Sequence, residues 1–168
     1  SYGGTSPTQL QYDEILASQA YGHVFVTSAG NEGNDIELQP KYPASWDLSN
    51  IITVANTDED GDIYSGSNYG AVSVDLGAPG TGILSTIFAD DYGTKTGTSM
   101  AAPHVAGAVA LVASKYPHLE WWDLKDRILD SAVPENTLAG KSVTGGRLHA
   151  QRALGVWVSP VGGPLKLG

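Results

Sequence analysis

Two stretches carry groups suited to attack on a carbonyl carbon. The run Gly97-Thr98-Ser99-Met100-Ala101-Ala102-Pro103-His104-Val105-Ala106-Gly107 sets a serine where polar turn residues give way to small, apolar ones that continue to Ala113. A turn that passes straight into a helix gathers the first helical N–H groups, and the positive end of the dipole, around Ser99. Negative charge developing on an attacked carbonyl oxygen would be stabilised there. Upstream, Ser28-Ala29-Gly30-Asn31-Glu32-Gly33 follows the apolar run Val24-Phe25-Val26. Asn31 therefore offers a carboxamide just beyond the C-terminal end of a strand, where open α/β sheets bind ligands. Its amide is the kind of donor that completes an oxyanion hole.

Together the two stretches resemble the subtilisin-like serine proteases, in which Gly-Thr-Ser-Met-Ala-x-Pro-His-Val-Ala-Gly carries the nucleophile and Ala-Gly-Asn-Glu-Gly the oxyanion asparagine. The resemblance implies Ser99 as nucleophile, and Asn31 with the Ser99 backbone N–H as oxyanion hole. It implies that Ser1-Tyr2-Gly3-Gly4 is an extended strand that pairs with substrate through main-chain groups. Ser1, Tyr2, Gly3, Ala29, Gly30 and Thr98 are the substrate-binding set, with Tyr2 on the more distal wall. Lys41-Tyr42-Pro43-Ala44 is a further matching segment. The likeness runs from residue 1 to about Leu154 and covers the C-terminal half of the family's catalytic domain. The implied fold is α/β, three-layered, with a mostly parallel sheet, incomplete here. The catalytic aspartate and histidine are expected on a missing N-terminal half.

Hydroxyl attack on a peptide needs a base, a group to orient that base, and oxyanion donors. The histidines are His23, His104, His118 and His149. His104 lies five residues beyond Ser99, which on a helix turns it roughly 140° away from Ser99; a core histidine bonded to backbone is the expectation. His23 precedes a strand, at the end opposite Asn31, and His118 and His149 stand at helix starts. The base and its orienting acid are thus expected from an upstream segment, and this chain alone to have little activity. Met100, the sole methionine, would be an oxidation liability beside the serine. The pocket segments hold no obvious carboxylate, which favours apolar or aromatic side chains in the substrate over Arg or Lys. Glu32, Asp35 or Glu37 in the following loop would overturn that.

The balance of 9 basic and 18 acidic residues gives a net charge of −9. Such a chain repels phosphates and anionic membrane surfaces, so neither nucleic acid nor membrane is an expected partner. Cysteine is absent, which excludes disulfides and thiolate chemistry. The chain opens on Ser1 without a methionine and reads as a processed product or a fragment. The resemblance implies an extracellular, secreted parent. No cofactor is called for, although a structural calcium in the parent stays open. Asp58-Glu59-Asp60-Gly61-Asp62 has alternating carboxylates, but its glycine is misplaced for a helix–loop–helix calcium loop. A solvated acidic turn is expected.

These groups need elements to position them. Thr8 to Ala20 predicts a helix with Leu10, Ile15, Leu16, Ala17 and Ala20 as its stripe, stopped by Gly22. Val24-Phe25-Val26 predicts a strand buried on both faces, and Ile51 to Ala55 the next. Tyr64 to Tyr69 reads as a hairpin-like excursion, and Val72 to Leu76 as a strand ended by Gly77-Ala78-Pro79-Gly80. Gly82 to Phe88 and Tyr92 to Thr96 pair as a hairpin. Ser99 to Tyr116 is a helix apolar all round and therefore buried. Trp121 to Ala132 is amphipathic, with Trp121, Leu124, Ile128, Leu129 and Ala132 inward and Asp123, Lys125, Asp126 and Arg127 largely outward. Val133 to Gly146 is loop, Leu148 to Leu154 a last helix, and residues 155–168 a Gly/Pro-rich tail or linker. Residues 1–154 form the half-domain.

Two other readings bear on function. Gly97-Thr98-Ser99-Met100-Ala101 approximates the Gly-x-Ser-x-Gly elbow, but that elbow needs an apolar strand before it, and Tyr92 to Thr96 is too polar. A half-domain that binds peptides without cutting them, or awaits a complementary chain, is the stronger rival.

Overall fold

The computed structural model describes residues 3–155. Helix α1 (Gln9–Ser18) starts at Thr8, whose side chain accepts the Gln11 N–H. It runs into a single 3-10 turn that Gly22 ends in the left-handed conformation, φ 76°. Of its expected stripe only Ile15 is buried; Leu10 and Leu16 lie open to solvent.

The main sheet holds β1 (Phe25–Ser28), β2 (Ile51–Thr57), β3 (Leu76–Pro79), β6 (Val133–Pro134) and β7 (Gly146–Arg147) in the order β1-β2-β3-β7-β6. β1, β2, β3 and β7 run parallel, and β6 pairs antiparallel with β7. β4 (Ile83–Ile87) and β5 (Asp91–Lys95) form a separate antiparallel hairpin, as the turn residues predict.

β2 is buried throughout, and its period-two alternation builds two cores. Ile52 and Val54 face α2 (Thr98–Lys115) and α3 (Trp121–Asp130), packing with Leu76, Ala101, Val105, Val112 and Ile128. Ile51 packs on the opposite side with Ile15 and Leu48, and Ala55 with Ile36, Val74 and Leu138. The result is three layers: α1 and its loops, the sheet, then α2, α3 and the short α4 (Ala150–Ala153).

Several expectations change. β1 is half-buried rather than buried, because it stands at the sheet edge with a neighbour on one side only among the described residues. β3 begins at Leu76, where the sequence suggested a strand would end: Leu76 pairs with Val54 and Pro79 with Thr57. Helix α2 buries one face only; Pro103, His104, Ala106, Gly107, Ala110 and Leu111 are exposed. Residues 64–69 form a loop without a strand, bridged to the chain before it by Asp35 and Tyr69. The 58–62 run is a turn closed by Asp58, whose carboxylate accepts the N–H groups of Asp60 and Asp62, both at 3.1 Å. Among the described residues no group of three or more His, Asp and Glu is arranged to hold a metal ion. No described helix is long and apolar enough to cross a membrane. Ser1, Tyr2 and the tail after Gly155 lie outside the described residues.

Candidate active site

The site is assembled where the loop after β1 meets the N-terminus of α2. Thr98 joins them. Its backbone N–H donates to Asn31 Oδ1 at 2.8 Å and its hydroxyl donates to the same oxygen at 3.0 Å. The hydroxyl in turn accepts the Gly30 N–H at 3.2 Å. A backbone N–H can only donate, so Asn31 must present its oxygen to Thr98. The carboxamide nitrogen, with both its hydrogens, is then turned away from Thr98. Asn31 and Ser99, far apart in sequence, are thus neighbours through Thr98. Ser99 is half-buried in the first turn of α2, with Met100 following it.

The serine loop is held from behind. Gly97 donates to the Gly80 carbonyl at 2.8 Å, and Gly80 to the Thr57 carbonyl at 3.0 Å. A methyl group at Gly80 would meet Asn56 Oδ1 at 2.5 Å and the Gly97 carbonyl at 2.7 Å. Glycine is therefore required there so that β3's exit and the serine loop can touch. Thr96 accepts the Gly82 N–H at 2.9 Å and pins the far side of the same loop.

The Asn31 loop is held by Asn68, which is fully buried. Asn68 Oδ1 accepts the N–H groups of Glu32 and Asn34 at 3.1 and 2.9 Å. Its Nδ2 donates to the Ala29 carbonyl at 3.0 Å and to Glu32 Oε2 at 2.7 Å. Its own N–H donates to the Gly30 carbonyl at 2.9 Å. Glu32 Oε1 takes the Lys41 ammonium at 2.7 Å. That hydrogen bond, with help from the Asn68 amide, holds the Glu32 carboxyl below its ordinary range. Lys41 is followed by Tyr42, which exchanges two backbone hydrogen bonds with Gly4, at 2.9 and 2.8 Å. A continuous polar chain thus ties Gly4, next to Gly3 in the expected substrate strand, to Ala29 and Gly30.

A groove of about 700 Å³ opens beside the serine, lined among others by Ile83, Leu84, Phe88, Ser99, Met100 and His104. His104 is exposed rather than a core residue; its Nδ1 meets the Met100 carbonyl at 2.9 Å. His149 Nδ1 accepts the Arg152 N–H at 3.3 Å at the start of α4. His118 meets the Tyr116 ring edge-on at 6.5 Å, and His23 precedes β1 at the end of the strand opposite Asn31. Of the predicted site residues, the structure brings together Asn31, Ser99, Thr98, Ala29 and Gly30. Thr98 and Ala29 have no exposed surface, so neither lines a substrate site: Thr98 acts here as a tie between the two segments, and the Ala29 carbonyl is taken by Asn68 Nδ2.

Asn68 is the residue the sequence did not single out. Its neighbours Ser67 and Gly70 are turn-forming types, and nothing in the local pattern separates a buried clamp from a solvated loop asparagine. Lys125 is another. Expected outward, it reaches Asp75 at 3.4 Å and the Ile51 carbonyl at 2.5 Å. Burial pushes the Asp75 carboxyl up, with the Lys125 ammonium and the Thr53 N–H pulling against it.

The subtilase family model matches residues 1–156, and the chain belongs to that family. It is 44% identical over 115 residues to thermitase of Thermoactinomyces vulgaris, covering 68% of this chain and 39% of that protein. It is 36% identical over 154 residues to a thermostable alkaline protease of Halalkalibacterium halodurans, covering 91% of this chain and 40% of the other. A solved protease from Pseudoalteromonas arctica superposes with a TM-score of 0.82 at 27% identity, covering 92% of this chain and 49% of that one. The chain thus spans less than half the length of these relatives.

Proposed function

We propose that this chain contributes the nucleophile and oxyanion hole of a serine endopeptidase. Ser99 attacks the scissile carbonyl, while Asn31 Nδ2 and the Ser99 backbone N–H stabilise the oxygen that becomes negative. The observation that carries the reading is the double donation from Thr98 to Asn31 Oδ1. It commits the carboxamide oxygen to Thr98, which leaves the nitrogen, with both its hydrogens, as the end available to an oxyanion. In this reading Gly3, which precedes the Gly4–Tyr42 bridge, and Gly30 line the place for the substrate residue before the cut. With Glu32 neutralised by Lys41, that place suits an apolar or aromatic side chain better than a cationic one.

The base and its orienting acid come, in this proposal, from a partner segment, the N-terminal half of the domain. The open side of β1 and the small, exposed face of α2 support this. A strand edge offers a row of main-chain donors and acceptors, and Ala106, Gly107 and Ala110 let another backbone come close. The same two surfaces favour a second reading for the chain by itself, a peptide-binding or inactive module that needs its complement. A secreted setting is the family's default and goes with the proposal. The test is labelling with a serine-directed phosphonate, alone and with the N-terminal half added. Modification of Ser99 only in the mixture supports the assembled protease. Absence of labelling in both leaves the binding module.

A further inference from the structure

We propose that Asn68 is a positioning residue for catalysis, acting through Asn31; this rests on the protease reading above. Five hydrogen bonds, to the Ala29 and Gly30 carbonyls, the Glu32 carboxylate and the Glu32 and Asn34 N–H groups, bracket Asn31 on both sides in sequence. Residue 31 lies between them, so its backbone cannot move without breaking the clamp or Thr98's grip on its side chain. The clamp has no slack. A methyl group on Gly30 would come within 2.3 Å of Asn68 Nδ2 and 2.9 Å of Glu32 Oε2, and Gly30 itself has φ 107°. Glycine adopts that region without strain, so what fixes the loop's shape is its hydrogen bonds, five of them made with Asn68.

Only an amide meets every demand. The position needs one oxygen accepting two N–H groups and one nitrogen donating to a carbonyl and a carboxylate. Aspartate keeps the acceptor but sets a carboxylate against Glu32 and the Ala29 carbonyl. The distinguishing consequence is kinetic. An oxyanion donor acts in the transition state, so a residue that merely places it should lower kcat more than it raises KM. Its effect should also vanish once the donor is gone.

The experiment is a double-mutant cycle in the full-length protease. Ser99→Ala first establishes the protease reading; if turnover survives it, that reading fails, and the present inference with it. With that in hand, Asn68→Ala and the isosteric Asn68→Asp are each made with Asn31 present and with Asn31→Ala. Active sites are counted by phosphonate titration, so that misfolded molecules do not enter kcat. Misplacing a reacting group by about 1 Å costs on the order of 10²-fold. We expect kcat to fall about ten- to a hundredfold with Asn31 present and less than about threefold in the Asn31→Ala background. Equal fold-losses in both backgrounds overturn the inference, as does a loss confined to KM. Failure of both Asn68 variants to fold also overturns it, assigning the residue to structure alone.

Discussion

Thr98 spends both its donors on one atom, Asn31 Oδ1, at 2.8 and 3.0 Å. The hydroxyl also takes the Gly30 N–H at 3.2 Å. A single residue, through its backbone N–H and its hydroxyl, therefore fixes the loop backbone and the rotation of the carboxamide at once. Thr98→Val removes one donor to Asn31 and leaves the Gly30 N–H without its acceptor. An unsatisfied, largely buried donor costs about 1–3 kcal/mol. Urea unfolding should show a loss in that range, and turnover of the assembled enzyme should fall further than stability alone explains. Thr98→Ser keeps both hydrogen bonds and should restore turnover.

Asn31→Ala tests the oxyanion assignment directly. Loss of one such donor, for which an asparagine of subtilisin is the reference case, lowers kcat about 10²–10³-fold. The same loss with KM nearly unchanged is expected for the assembled enzyme. A drop in affinity without a drop in kcat would remove Asn31 from the transition state.

Gly80→Ala should act from behind the site. The added methyl would press on Asn56 Oδ1 at 2.5 Å and the Gly97 carbonyl at 2.7 Å. Overpacking of this kind costs about 1–3 kcal/mol. Because Gly97 precedes Thr98 and Ser99, the shift should also slow phosphonate labelling of the assembled protein. Labelling at the wild-type rate would show that the Gly80–Gly97 contact does not set the serine's position.

The Lys125–Asp75 pair gives a pH-dependent prediction. Burial holds the folded Asp75 carboxyl above its ordinary 3.8. The stability linked to that group is therefore fully present below 3.8 and lost as pH rises through the folded value. Lys125→Met removes the opposing ammonium and raises the folded value further. Breaking a largely buried pair should cost about 3–5 kcal/mol at pH 7. The gap between variant and wild type should narrow as acid protonates Asp75. A gap independent of pH would mean that Lys125 contributes through packing alone.

Ala106→Arg probes the outer face of α2. The residue is exposed, so surface substitution should leave the melting of the chain by itself within about 0.5 kcal/mol. Addition of the N-terminal half should stabilise the wild-type chain, because a partner that binds only the folded state raises its apparent stability. The arginine variant should not gain. Equal stabilisation of both would move the docking face elsewhere.

The serine motif, the strand-to-loop placement of Asn31 and the β4–β5 hairpin are legible in the sequence, because each rests on local residue types or on short-range periodicity; the mostly parallel sheet follows from the family resemblance. The start of β3 is not legible there. Val72 to Leu76 alternates as a strand should, yet burial of Asp75 against Lys125 and pairing of Leu76 with Val54 are decided by tertiary partners. The outer face of α2 was misread for a related reason. A run of alanines and glycines shows the same apolar letters whether a neighbour covers it or solvent does. Asn68, and the role of Thr98 as a buried tie rather than a substrate-binding residue, are not legible there, because the value of a polar side chain inside a fold depends on donors and acceptors brought from distant segments.

The edge position of β1 has a bearing on handling the molecule. Hydrogen-bonding groups along that strand face outward ready-ordered, and they do not discriminate among visitors of suitable shape. A second copy can lay its own β1 alongside, so the free chain should have a concentration ceiling, above which light scattering rises before any loss of helix signal. Dilute storage follows from that exposed edge.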